Sequence, residues 1–325
     1  MRIFERGGKR IEVTVDPDSP IQAKWDADRQ CRQLVADGWL RVAGSAEELA
    51  SQPELLAALR ANREDRETYA IFADWLCEHG DPWGQLMAVQ VALAALPRVG
   101  QAQRRDELER EEIKLRFQHA ARLWGPIGEQ IIDVETQRYA SDIVDAEWRC
   151  GFVRAAQFRD TAERIEAVLP QFAKLEIAQL LRSLAIEPTE WRRATADVLA
   201  AQAWPELTRL TVASHGYGPT RRAIDARWIV PALATEVTPR LTELEVRGSH
   251  STDGLCIALA TNPIHERLQY LELLGGQLTE EGIAALASGS LRLLHLKLTG
   301  RGPQDARAML ARTAKTVIVV FDQAD

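Results

Sequence analysis

LTELEV at residues 241–246 and LQYLEL at residues 268–273 carry the pattern that decides the fold of this chain. Each has aliphatic residues at its first, fourth and sixth positions, the frame L-x-x-L-x-L. Three further copies of the frame occur in the second half of the chain: Leu181-Leu184-Ile186, Leu207-Leu210-Val212 and Leu291-Leu294-Leu296. A weaker copy, Val153-Ala156-Phe158, precedes them, and TVIVVF at 316–321 follows as a final strand. Self-similarity at steps of roughly 20–30 residues indicates a repeat architecture.

Each repeat reads as a short strand followed by a loop and an amphipathic helix. In the first of these helices Ile165, Val168, Leu169 and Phe172 recur at helical spacing. The segments predicted to be helical are 161–172, 191–202, 226–235, 255–260, 280–287 and 303–314. One such unit cannot bury its apolar edge alone, so the units should stack into a curved parallel sheet with helices on the convex face. An ordinary doubly wound α/β domain is the alternative, but it imposes neither a fixed period nor a repeated triplet.

Residues 148–325, which hold these frames, resemble leucine-rich repeats of the ribonuclease-inhibitor-like kind, which carry full helices. The segment LTEEGIAALA at 278–287 is similar to the helical part of such a repeat. The chain lacks the regular Asn or Cys after each triplet, because Glu187, Ser214, Gly248 and Gly275 occupy or adjoin those places. The expected fold class is therefore α/β, with a leucine-rich-repeat solenoid preceded by an α-helical N-terminal domain that has a small β element.

Residues 51–147 are expected to form the helical domain. Apolar spacing predicts helices over 53–62, 67–79, 85–96 and 101–123. Gly80 and the turn Asp81-Pro82-Trp83-Gly84 separate the second helix from the third.

Part of this helical stretch resembles the bacterial repeat-companion domain, a Myxococcus-type family of paralogous N-terminal domains. The resemblance covers about 40 residues and rests on Phe72-Ala73-Asp74-Trp75-Leu76, Glu78, Gly80-Asp81-Pro82-Gly84 and Gln90. The chain departs from the family where Phe72 replaces Tyr or Val, and where Gln85-Leu86 replaces an acidic-apolar pair. Such domains precede repeats, often leucine-rich ones, and the resemblance implies no enzymatic activity.

Residues 1–50 are expected to form a small α+β segment. Strands at 2–5 and 11–15 can pair through the Gly7-Gly8 turn, and 26–36 can form a helix. This arrangement resembles a shortened WGR module, a fold associated with DNA ends, although the chain has no Trp-Gly-Arg tripeptide. A nucleic-acid-associated role through this segment is therefore the alternative function.

Composition and motifs favour binding over catalysis. The net charge is −7, with most of the excess acid before residue 148, so neither half supplies the basic surface that binding to a nucleic-acid backbone requires. The chain has no phosphate-binding loop, no dinucleotide fingerprint, no zinc-protease motif and no nucleophile elbow. The cysteines and histidines lack metal-ligand spacing. We therefore expect no catalytic residues, cofactor or metal; an enzyme site around Asp74 and Trp75 is the least supported hypothesis.

Alternation along the strands identifies a candidate binding surface. Residues that flank the fourth and sixth positions of each frame should point out of the concave face of the sheet. They are Arg209, Thr211, Glu243, Glu245, Arg247, Tyr270, Glu272, Leu274, Leu293, His295 and Lys297, with Ser183, Ala185 and Glu187 in an earlier repeat. Tyr270, Leu274 and Leu293 are expected to form an exposed apolar cluster rimmed by charge, which is typical of an interaction site.

The predicted function is that of a non-enzymatic scaffold or interaction protein that binds a protein partner through this concave surface. The opening residues, MRIFERGGKRIEV, have no apolar core of a signal peptide, and no apolar run approaches the length of a membrane span. The expected location is therefore the cytoplasm, without a membrane partner.

Overall fold

The computed structural model describes residues 2–6, 9–13, 27, 29–30, 40–43, 52–97, 99–133, 138–139, 143–214, 224–288 and 291–321. The chain divides into two compact units, Met1–Glu112 and Ile113–Asp325. Of the described helices, none is both long enough and apolar enough to cross a bilayer.

The first unit opens with three antiparallel strands, β1 (Arg2–Arg6), β2 (Lys9–Val13) and β3 (Leu40–Ala43), in the order β2-β1-β3. Arg6 pairs with Lys9 at the end of the hairpin, so the predicted pairing around residues 7 and 8 is confirmed. The helix predicted over 26–36 lies outside the described residues, apart from positions 27, 29 and 30.

Four helices follow in the order that their apolar spacing predicts: α1 (Gln52–Ala61), α2 (Arg66–Glu78), α3 (Trp83–Ala95) and α4 (Ala102–Gln118). Asp65 caps α2 by accepting hydrogen bonds from the backbone N–H groups of Glu67 and Thr68. Phe72 is fully buried, and the ring of Trp83 meets it edge-on at a centroid distance of 5.6 Å. The predicted helix 101–123 breaks near His119, and a short helix α5 (Ala120–Trp124) follows.

Gly84 explains how closely α2 and α3 pack. A Cβ atom at this position would lie 2.6 Å from the backbone oxygen of Ala73 and 2.7 Å from the backbone nitrogen of Cys77. Only glycine permits such an approach of two helix backbones, so the DPWG turn fixes the spacing of the pair.

The second unit is a mixed α/β structure built on one ten-stranded sheet. A short helix α6 (Gly128–Ile131) and the two-residue pair β4 (Ile132–Asp133) and β5 (Arg138–Tyr139) precede the sheet. The eight main strands are β6 (Val144–Arg149), β7 (Phe152–Asp160), β8 (Ser183–Pro188), β9 (Arg209–Val212), β11 (Glu243–Arg247), β13 (Tyr270–Gln277), β14 (Leu293–Arg301) and β15 (Ala314–Phe321). They neighbour one another in that order, and each pair from β7 onward is parallel. Two short strands, β10 (Ile224–Asp225) and β12 (Ser249–Ser251), extend the sheet beside β13.

Helical segments connect the strands, because each parallel step needs a crossover. They are α7 (Ala162–Phe172), α8 (Arg193–Ala200), the 3₁₀ helix Ala226–Leu233, α9 (Asp253–Thr261), α10 (Glu280–Ser288) and α11 (Ala306–Met309). Thr279 caps α10, since its hydroxyl accepts a hydrogen bond from the backbone N–H of Glu281, as the sequence predicts. The helix predicted over 303–314 is much shorter in the structure, where α11 covers only one turn, Ala306–Met309.

The apolar frame builds the core of the second unit. Leu210, Leu244 and Leu271 stand opposite one another on consecutive strands and are at most 1% exposed. Val212, Val246 and Leu273 form the next row in the same way. Burial of each row against its neighbours gives most of the stabilisation, at roughly 25 cal/mol per Å² of apolar surface removed from water.

The hairpin between β6 and β7 is the one antiparallel element of the sheet among the described residues. Its turn residues, Cys150 (φ 47°) and Gly151 (φ 87°), both have positive φ, the requirement of a type I′ turn. The pairing places β6 in the same sheet as β7, so the structural division at Glu112/Ile113 differs from the boundary at 147/148 expected from the repeats.

The frame predicted for the last full repeat is wrong by two residues. Leu296 pairs with Leu271 and Leu298 pairs with Leu273, so the frame there is Leu293-Leu296-Leu298. Leu294, expected in the core, is 43% exposed. The run LRLLHLKL places leucine at the first, fourth and sixth positions whether the frame begins at Leu291 or at Leu293, so the sequence fits both frames. Pairing with β13 selects the second.

Leu296→Ala should therefore lower the free energy of unfolding by about 2–5 kcal/mol, as for other buried leucines. Leu294→Ala, the matched control two residues away, should lower it by about 0.5 kcal/mol or less because that side chain is half in water. Urea unfolding followed by far-UV circular dichroism measures both, and equal losses would contradict this phase of the strand.

Candidate binding surface

Strand pairing arranges the polar residues of the sheet in rows on the face opposite the apolar rows. We call this face the outer face; it carries the residues of β6 to β15 that alternate with the apolar frame. One row runs through Ser183, Arg209, Glu243, Tyr270 and His295, which pair in register. The next runs through Ala185, Thr211, Glu245, Glu272 and Lys297. A neighbour across strands in such a row stands about 4.8 Å away, so side chains in a row can pair.

A cavity of about 470 Å³ opens on the outer face over β6 to β11. Its lining is mostly polar and charged. The lining residues are Asp145, Ala146, Glu147, Ala155, Ala156, Gln157, Arg159, Ser183, Ala185, Glu187, Arg209, Thr211, Glu245 and Arg247. This depression is therefore a polar site built on a rigid sheet.

Small side chains create the depth of the cavity. Ala155 on β7 pairs with Ser183 on β8, and the next outer-face position of β8 is Ala185. In the same rows on β9 and β11 the chain has Arg209, Glu243, Thr211 and Glu245. The floor thus lies at β7 and β8, and longer side chains rise on the β9 and β11 side.

Glu245 organises that side, which we call the arginine wall (Arg209, Glu245 and Arg247). The carboxylate accepts hydrogen bonds from Arg209 Nη2 at 3.1 Å, from Arg247 Nε at 2.5 Å and from the Thr211 hydroxyl at 3.3 Å. Its side chain is 6% exposed, whereas both guanidinium groups are about half exposed. A buried carboxylate is stable only with such partners, so it fixes the two arginines in place.

The same contacts set the acidity of Glu245. Burial alone raises the pKa of this carboxyl group, but the hydrogen bonds and charges of Arg247 and Arg209 outweigh burial and lower the pKa below its usual value. The hydrogen bond to Glu245 likewise raises the pKa of Arg247. At neutral pH Glu245 is therefore ionised and Arg247 is protonated.

A second ion pair lies beside the floor. Arg159 Nε donates to the Glu187 carboxylate at 3.0 Å, and the Glu187 side chain is 9% exposed. On the far side of the floor β6 presents two exposed carboxylates, Asp145 and Glu147, which we call the acidic wall. The cavity thus has carboxylates at one side and guanidinium groups at the other.

Beyond the cavity, the outer face continues with Tyr270, Glu272, His295 and Lys297. The carboxylate of Glu272 lies 3.5 Å from His295 Nε2 and 3.6 Å from Lys297 Nζ. The ring of Tyr270 is tilted by 30° to that of His295 at a centroid distance of 6.2 Å, and Tyr270 is 40% exposed. Ile318 and Val320 of β15 are exposed as well. This end of the face offers apolar contact area flanked by charge.

Most of the residues predicted for the binding surface do share the outer face. Leu293 does not: it is 3% exposed, because the two-residue shift of the β14 frame puts it in the core. The expected apolar cluster of Tyr270, Leu274 and Leu293 therefore lacks one member. Thr211 and Glu245 are on the expected face but are buried by their neighbours rather than open to solvent.

Sequence reasoning missed Asp145, Glu147 and Arg159 as lining residues. The frame L-x-x-L-x-L does not extend to β6, which is antiparallel, and its copy in β7 is weak. The alternation of Val144, Asp145, Ala146 and Glu147 before a Cys150-Gly151 turn is the signal that could have found them.

The residues weighed for catalysis have structural partners. Asp74 lies 3.4 Å from Arg29, and both side chains are more than half exposed. The ring of His79 stacks on Trp75 at 4.0 Å, and its Nδ1 atom lies 2.6 Å from the Trp75 backbone oxygen. Within the described part of the chain, no group of three His, Cys, Asp or Glu side chains could hold a metal ion.

Glu245→Gln should lower the free energy of unfolding at pH 7 by about 1–2 kcal/mol, because a hydrogen bond to a charged group is lost. The lowered pKa means that the ionised carboxylate stabilises the fold above pH 4.5 and loses that effect as the pH falls through the folded-state value. The difference in the free energy of unfolding between wild type and Glu245→Gln should therefore disappear at acidic pH. Urea titrations across pH 3–7 measure it, with the more exposed Glu243→Gln as control; a gap that is constant with pH would contradict this role.

Comparisons with known proteins do not show a family for this chain. No family model and no curated protein matches the chain. A crystal structure of a Bacteroides fragilis protein, a structural-genomics target, aligns with 98% of this chain and 86% of its own, at 11% identity and a TM-score of 0.38. That score is too low to indicate a shared fold.

Proposed function

We propose that the second unit is a leucine-rich-repeat solenoid that binds a protein partner through the outer face of its sheet, which would be the concave face. The first unit would then carry a repeat-companion domain ahead of the repeats. In this proposal the protein is a non-enzymatic scaffold.

The observation that carries the proposal is the order of the strands. The main strands β7, β8, β9, β11, β13, β14 and β15 lie side by side in chain order, without the reversal of order that a doubly wound sheet requires. Stacking of one unit on the next is how repeat proteins form a continuous core. Such arrays use the strand face, which is free of helices, as an extended binding surface.

The chemistry of the outer face supports a protein as the partner. Tyrosine and arginine are the residue types most enriched at the energetic centres of protein interfaces, and this face presents Tyr270, Arg209 and Arg247 on adjacent strands. Glu245 and Glu272 hold their cationic neighbours in fixed positions, so less side-chain entropy is lost on binding.

Contact with nucleic acid through the first unit is the second candidate. Strands β1, β2 and β3 carry Arg2, Arg6, Lys9, Arg10 and Arg41 against Glu5 and Glu12, a local excess of basic residues in an acidic chain. A gel shift of the full chain with duplex DNA at two salt concentrations tests it, since such binding weakens steeply with salt.

To test the proposed function, a tagged full chain recovers partners from cells that express it, and each partner is then titrated with purified variants. Tyr270→Ala should weaken binding of a true partner by about 2 kcal/mol, because a central aromatic anchor contributes that much. Ile257→Ala is the matched control: Ile257 is also 40% exposed, but it lies on helix α9.

The two variants separate the outer face from the helical side. If Ile257→Ala weakens binding and Tyr270→Ala does not, the partner uses the helices and the proposal is wrong. Equal affinity for wild type and both variants would show that neither Tyr270 nor the surface around Ile257 contributes to the interface.

A further inference from the structure

The acidic wall of the cavity has charge that the protein itself does not neutralise. The carboxylate of Asp145 forms no hydrogen bond or ion pair with any residue in the described part of the chain, and the carboxylate of Glu147 has one described ion pair, at 3.9 Å from Arg154. The Glu147 side chain is 65% exposed. By contrast, Glu187 and Glu245 on the other side of the floor each accept hydrogen bonds from arginine. The acidic wall is thus the part of the cavity that suits a cation from outside.

The arginine wall, in contrast, retains hydrogen-bond donors. A guanidinium group has five N–H donors. Within the described residues, Arg247 donates hydrogen bonds only through Nε and Arg209 only through Nη2, both to Glu245. Arg209 Nη1 also lies 3.8 Å from a carboxylate oxygen of Glu243, an ion pair that is longer than a hydrogen bond. Arg159, at the edge of the floor, donates only through Nε, to Glu187. The remaining donors of these fixed side chains suit a carboxylate or a backbone carbonyl group.

The two walls are separated by a distance that a short peptide spans. Glu147 and Arg209 share one row, and from β6 to β9 there are three strand-to-strand steps of about 4.8 Å, which gives roughly 14 Å across the floor. Arg247, on β11, lies one step further. An extended polypeptide advances about 3.3 Å per residue, so two of its side chains four residues apart are about 13 Å apart. The small residues Ala155 and Ser183, which separate Glu147 from Arg209 in their row, leave room for the backbone between them, and Gln157 lies beside Ala185 in the neighbouring row.

We propose that this cavity recognises an extended polypeptide segment with a lysine or arginine side chain at Asp145 and Glu147, and an acidic side chain about four residues away at Arg209 and Arg247. This inference rests on the proposed function and specifies the partner's chemistry. A polyamine has no acceptor for the arginine donors, and a nucleic acid would place phosphates against the acidic wall. A polypeptide that carries both a basic and an acidic side chain can form ion pairs with both walls.

Fluorescence anisotropy with the full chain tests the proposal. The probe is an acetylated, fluorescein-labelled peptide of Gly, Ser and Thr that carries Lys and Glu four residues apart. Two reference peptides replace the Lys or the Glu by Gln. We expect the doubly charged peptide to bind at least about tenfold more tightly than either reference peptide, and the difference to shrink as salt rises.

Variants of each wall assign the two charges. Asp145→Asn with Glu147→Gln should abolish the preference for Lys and keep the preference for Glu, whereas Arg247→Gln should do the reverse. The matched control, Glu280→Gln with Glu281→Gln, removes two exposed carboxylates from helix α10 and should change neither preference. Circular dichroism checks that each variant is folded.

Three outcomes would overturn the proposal. They are no peptide binding below about 1 mM, equal affinity for all three peptides, and binding of spermidine that equals peptide binding and depends on Asp145. If a partner recovered by the tagged chain depends on Tyr270 but not on Asp145 and Glu147, this inference fails while the proposed function stands.

Discussion

The structure of the second unit depends on parallel strand pairing in strict register. Leu210, Leu244, Leu271 and Leu296 face one another on four consecutive strands because each strand hydrogen-bonds to the next without a shift at that point. Every strand buries its apolar residues against its immediate neighbours, so the register of one fixes the register of the next. A slip of one residue would turn every leucine of a strand to the solvent.

The same constraint arranges the charges of the outer face. Side chains alternate along a strand, so rows of polar residues lie opposite the rows of leucine and stand about 4.8 Å apart across strands. Glu245 contacts both Arg209 and Arg247 because the three residues occupy neighbouring outer-face positions on two adjacent strands, β9 and β11. Burial of the Glu245 carboxylate then requires both guanidinium groups, and the charge pattern of the cavity follows from the sheet.

Two departures from this regularity determine where the cavity lies. The Cys150-Gly151 turn adds an antiparallel strand, β6, whose carboxylates form a wall that no repeat supplies. Ala155 and Ser183 are short where β9 and β11 carry Arg209 and Glu243 in the same row, and this row forms part of the cavity floor. The cavity therefore lies where the repeat pattern begins.

Apolar periodicity in the sequence was enough to predict the helices of the first unit, strands β7, β8, β9, β11 and β13 and most of the outer-face residues, because it encodes which side chains are buried. It could not choose the frame of β14, since leucines fill the first, fourth and sixth positions from Leu291 and equally from Leu293, and only pairing with β13 distinguishes the two frames. Nor could it show that Glu245 is buried or that Glu147 lies in the same row as Arg209, with Ala155 and Ser183 between them. Those facts depend on neighbours distant in sequence, which only the tertiary structure brings together.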